Sequence, residues 1–168
     1  ETATTAQNNV AIGYQAAQDV TTSSGSVFIG VEAGHDVTTT NNSIAIGYKA
    51  MNGGATTGDN NIAIGTSTMA ALNSGTLNIA IGRDALLAAT SNSNNIAIGT
   101  NAMKTHLTGE RNMAIGTNAM QDTDAGSNAN SSYDNIFIGH NAGSGTWADA
   151  ASSGNITLGN YTMDSALN

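Results

Sequence analysis

The residues able to do chemistry are few and scattered. The three histidines, His35, His106 and His140, lie far apart without HxH or HExxH spacing, and no carboxylate pair accompanies them. Each reads as an exposed or loop histidine, and no metal set is predicted. Ser and Asp are so common that a Ser-His-Asp triad could be drawn anywhere, so the pattern carries no weight. There is no Cys, which removes thiolate ligands, thiol nucleophiles and disulfides. The stretch Gln121 to Asp134 offers Asp122, Asp124 and Asn128 to a calcium ion. Gly126 stands where an oxygen ligand is needed and no Glu closes the loop, so a polar surface loop is the better reading. No phosphate-binding glycine loop is present. These features predict a non-enzyme without cofactors. The side chains best suited to recognition are Tyr133, His140 and the single Trp, Trp147, set among Asn, Asp and Ser where rings could stack on a sugar or a protein receptor.

The elements that must position these residues announce themselves as repeats. The pentapeptides ending at Gly13, Gly30, Gly47, Gly65, Gly82, Gly99, Gly116, Gly139 and Gly159 are nine versions of Asn-Ile-Ala-Ile-Gly, with glycines 17, 17, 18, 17, 17, 17, 23 and 20 residues apart. Strict alternation within each is the period of a strand. Three residues after each Gly comes a small-then-apolar pair such as Ala50-Met51 or Ala102-Met103, and five of the six Met occupy its second place. Each unit therefore predicts a strand, a bend at Gly, a second short strand and a polar return. Only 67–72 and 84–89 leave room for a helix. Regular coils are expected over 8–120, coils with longer loops over 121–163, and a short tail over 164–168.

A unit of this length cannot bury an apolar face alone, but stacked coils can. The expected fold is all-β, a parallel solenoid of about nine coils. With strands ~4.8 Å apart, the rod is roughly 40 Å long. The residue before the first Ile is Asn9, Asn61, Asn78, Asn95, Asn112, Asn135 or Asn155, with Ser26 and Ser43 in the other two coils. This column predicts a ladder of amides bonded coil to coil. Hydrophobicity suggests that the Ile pair fills the interior, with Ile12, Ile29, Ile46, Ile64, Ile81, Ile98, Ile115 and Ile138 forming one inner ladder. The stripe Ala11, Ala45, Ala63, Ala80, Ala97 and Ala114 then faces outward, where small side chains admit another backbone, and a homotrimer is expected.

The 12 acidic against four basic residues give a net charge of −8, which argues against nucleic acid and anionic membranes as partners. No segment approaches the ~20 apolar residues of a spanning helix. The first residues lack the basic and apolar regions of a signal peptide, and a start at Glu1 reads as a processed or excerpted chain.

The Asn-[Ile/Val]-Ala-Ile-Gly units resemble two related groups over residues 8 to 163. One is the head domain of YadA-like trimeric autotransporter adhesins, a trimeric left-handed parallel β-roll. The other is the repeat region of bacteriophage and prophage tail fibres. There, Asn-Ile-Ala-Ile-Gly-x-x-Ala-Met runs end in Asn-Ile-Thr-Leu-Gly-Asn before a cleavable endosialidase-type chaperone. Residues Asn155 to Asn160 read Asn-Ile-Thr-Leu-Gly-Asn, which tilts the resemblance to the phage group. It implies a trimeric fibre segment on a virion, outside the cell, associated with other fibre proteins, from which a chaperone after Asn168 has been removed. The alternative is an adhesin head on a bacterial surface. An ice-binding solenoid would need a flat Thr ladder, and Thr38 to Thr40, Thr56, Thr57, Thr66, Thr100 and Thr117 recur irregularly. The insertions after Gly116 and Gly139 map to loops, where recognition concentrates. Trp147 there reads either as a cap on the last coils or in trimer packing, or as a receptor contact.

Overall fold

The computed structural model describes residues 5–54, 56–122, 132–145 and 153–165. The strands are β1 Val10–Ile12, β2 Val27–Ile29, β3 Ile44–Ile46, β4 Ile62–Ile64, β5 Ile79–Ile81, β6 Ile96–Ile98, β7 Met113–Ile115, β8 Ile136–Ile138 and β9 Ile156–Leu158. They form one parallel sheet in chain order, with every pentapeptide in register with the next, so Ala63 pairs with Ala80 and Ala80 with Ala97. This is the β-solenoid that the repeats predict. The described residues contain no helix, and within 67–72 and 84–89 the residues 67–71 and 84–88 are turns.

Two expectations about the coil's architecture are corrected. First, no second strand follows the glycine. That segment is a turn in which the second residue after the Gly and the Ala, Gly, Met or Leu two positions later have left-handed backbones, as in Lys49 (φ 55°) and Met51 (φ 50°). The turns still ladder: the N–H of Met51 donates to the carbonyl of Thr68 at 2.9 Å, and that of Met103 to Ala119 at 2.9 Å. Cross-coil bonding persists without strand geometry.

Second, the sheet faces the other way. Ala45, Ala63, Ala80, Ala97 and Ala114 are fully buried, whereas their flanking Ile residues line the outer face and are half-buried or exposed. Ala11 is exposed, in the first coil. The Ala stripe is thus core rather than interface, and Ile12, Ile29, Ile46, Ile64, Ile81, Ile98, Ile115 and Ile138 form an outer ladder. Cross-section is the reason. The strand lies against the turn of its own coil, and Met51, Met69, Leu86, Met103 and Met120 already fill the space between them. A methyl is what fits opposite a Met in a close-packed interior.

Where the strand centre is large, the turn gives way. Phe28 and Phe137 replace the central Ala in β2 and β8, and those coils carry Gly34 and Gly143 in the Met position. A Cβ on either glycine would overlap the Phe ring. A second exchange operates further along the coil. Leu72 lies over Gly75 and His106 over Gly109, whereas Ala89 is matched with Asn92. His106 is therefore a buried core residue, contrary to its reading as an exposed one, and its Nε2 accepts from Asn112 Nδ2 at 3.2 Å.

The Asn column forms the expected ladder inside the coil. Asn78 Oδ1 accepts from the backbone N–H of Asn95 at 3.0 Å and from its Nδ2 at 3.3 Å, while Asn95 Nδ2 also donates to the carbonyl of Gly109 at 2.8 Å. The pattern recurs from Asn61 to Asn155. It passes through the serines as well: the N–H of Asn61 donates to Ser43 Oγ, that of Ser43 to Ser26 Oγ, and that of Ser26 to Asn9 Oδ1. Buried amides are tolerated because each is paired. The pentapeptide glycine closes the strand where coils approach most closely. At Gly47 (φ 133°) a Cβ would stand 2.5 Å from the carbonyl oxygen of Gly65.

Candidate functional site

The residue before each ladder Asn has a left-handed backbone, and in two adjacent coils that residue is Arg111 (φ 55°) and Asp134 (φ 58°). They are 23 positions apart, yet the sheet register brings them together. Arg111 Nε donates to Asp134 Oδ1 at 2.7 Å and Nη2 to Oδ2 at 3.4 Å, while Nη1 donates to Glu110 Oε2 at 2.9 Å. One position earlier, Glu110 and Tyr133 form a parallel bridge, which sets the Tyr133 ring with its centroid 5.9 Å from the guanidinium carbon. Thr108, Glu110, Arg111 and Tyr133 line an open cleft of about 220 Å³.

The guanidinium holds the Asp134 carboxyl below the ordinary carboxylate range, chiefly by hydrogen bonding, and is itself raised by the same bond. Two carboxylates against one guanidinium leave the cleft with one excess negative charge. The cleft presents an aromatic ring, carboxylate acceptors and a planar donor held by two carboxylates.

Of the residues singled out by sequence, Tyr133 belongs to this cleft and is 43% exposed. His140 lies in the turn beyond β8. Its ring meets Tyr161 edge-on at 5.2 Å, and its backbone N–H donates to Asn160 Oδ1 at 2.9 Å. Trp147 and the loop residues Asp124 and Asn128 lie outside the described residues. Thr40 and Thr56 are buried, which removes them from any Thr surface of an ice-binding kind.

Sequence reasoning missed Arg111, Glu110 and Asp134. Aligning the repeats on their Asn would have stacked Arg111 on Asp134, because in-register coils turn sequence columns into spatial neighbours. The same stacking unites Asp19 and Asp36 with His35, whose Nδ1–H donates to Asp36 Oδ1 at 2.6 Å. One potential ligand atom from each of the three lies within 4.8 Å of the others. Another amide ladder runs along the turn corners, where Asn101 Nδ2 donates to Asn118 Oδ1 at 3.0 Å and Asn118 Nδ2 to Asn141 Oδ1 at 2.9 Å.

Fold and site together define a repetitive parallel β-solenoid with an apolar outer face and a polar cleft. Comparison with family models, curated proteins and solved structures finds no match for this chain. No helix among the described residues is long and apolar enough to cross a membrane.

Proposed function

We propose that the chain is a structural and adhesive segment of a trimeric fibre, of the phage tail-fibre kind, with side chains at its coil corners contacting a host surface. The outer face of the sheet carries the reading. Two columns of nine apolar side chains, one from Val10 to Ile156 and one from Ile12 to Leu158, run along a nine-stranded sheet without a charged or polar interruption. That is a stripe roughly 40 Å long. A contiguous apolar surface of such extent marks an association site. Three copies converging on one axis cover every stripe with identical partners and leave the corners outside, which is the geometry of a stiff rod. The resemblance of the repeats and of Asn155 to Asn160 to tail-fibre sequences supports the same reading.

The trimer makes the aliphatic face, not the Ala stripe, the contact between chains. Light scattering after size exclusion, combined with a pull-down on candidate host cells, tests the proposal. A trimer retained on cells is the expected result, and a stable monomer that binds no cell surface overturns it.

A further inference from the structure

We infer that the Arg111–Tyr133 cleft is a binding site for one neutral sugar ring of a surface glycan. The inference rests on the host-contact reading above and names the ligand class for it. Its first support is preorganisation. Arg111 is held by Asp134 from the next coil and by Glu110 from its own, beside the Tyr133 ring, so little side-chain freedom remains to be lost on binding. Its second is donor and acceptor content. The guanidinium has five N–H groups, of which three serve the two carboxylates among the described residues. Arg111, Glu110 and Thr108, which carry the remaining donors, a second carboxylate oxygen and a hydroxyl, line one opening, where vicinal hydroxyls can accept from one and donate to another. The C–H face of a pyranose then meets Tyr133.

Size and charge narrow the class. At about 220 Å³ the cleft is smaller than the ~300–1,000 Å³ of drug-sized sites, so it takes one ring while the rest of the glycan runs over the surface. The excess carboxylate, on a chain of net charge −8, repels carboxylated or phosphorylated sugars.

Saturation-transfer NMR of the full chain with methyl α-glucoside, methyl α-galactoside and methyl α-mannoside, and with N-acetylneuraminic acid as the anionic control, tests this. Binding of at least one neutral glycoside at about 10 mM, weakened about tenfold in Glu110→Gln, is expected. Tyr133→Ala should weaken it as well. Glu110→Gln keeps the backbone bridge, so a melting temperature matching the parent separates lost binding from lost fold. Absence of binding by every neutral glycoside, binding of the acidic sugar alone, or affinity untouched in both variants would overturn the inference. Cell binding that persists without any glycoside binding defeats the sugar site and leaves the host-contact reading standing. Glycoside binding at this cleft without cell binding does the reverse.

Discussion

At the scale of single residues, the ladder Asn carries more than its side chain suggests. Asn95 Oδ1 accepts from both the backbone N–H and the amide of Asn112, and its Nδ2 serves Gly109 and Asn78. Asn95→Ala strands the Asn112 N–H and the Gly109 carbonyl inside the coil, so a loss of about 3 kcal/mol in denaturant unfolding is expected. Asn95→Ser should cost less, because Ser26 and Ser43 already show a hydroxyl oxygen accepting the next coil's N–H. Arg111 and Asp134 set a pH dependence of known sign. The folded-state carboxyl sits below its unfolded value, so its stabilisation is present above the unfolded pKa of about 3.9 and is lost as pH falls through the depressed folded value. The melting-temperature advantage of the parent over Asp134→Asn should therefore shrink from pH 6 to pH 2. An advantage that is constant or grows on acidification would contradict the pairing. Both side chains are exposed, and the effect is small.

At the scale of the element, a coil is a strand and a turn sharing one narrow space. Phe137→Ala opens a cavity in β8 and should cost about 3–5 kcal/mol. Adding Gly143→Met converts that coil to the Ala-plus-Met arrangement of its neighbours and should recover part of the loss, whereas Gly143→Met beside the intact Phe137 should destabilise, so a double-mutant cycle should show a coupling of about 1–3 kcal/mol. Additive effects would mean that the two positions do not share the space. The turn position also selects by backbone. Met103 has φ 51° and Leu86 φ 49°, a conformation that penalises β-branched side chains. Met103→Leu should be tolerated in thermal unfolding and Met103→Ile should not, although their volumes are alike.

At the scale of the whole molecule, the aliphatic stripe decides behaviour in solution. Ile98 lies in β6, well inside the array, with its side chain on the outer face and clear of the coil interior. Ile98→Asp should therefore leave the coil folded by circular dichroism while shifting the light-scattering mass from trimer to monomer, since a carboxylate buried between chains is costly. A trimer that survives this change would move the interface elsewhere. The last described strand differs from the middle ones. Ile156 and Leu158 are 74% and 77% exposed, compared with 36% for Ile81. The last described strand thus offers apolar surface that the central coils largely cover with their neighbours.

The repeat spacing alone determined the number of repeats, their parallel stacking order, the bend at each Gly and the Asn ladder, because in-register stacking converts a sequence column directly into a spatial one. Tertiary structure decided the rest. Alternation with a period of two says that Ile and Ala face opposite ways but not which way is in. The width of the coil chose Ala, since the turn's Met or Leu leaves room for no more, and Phe enters the strand only where the turn carries Gly. The same packing put His106 in the core. The cleft at Arg111 and Tyr133 arose from two columns whose members differ from coil to coil, so its chemistry exists only where register joins residues that no local motif unites.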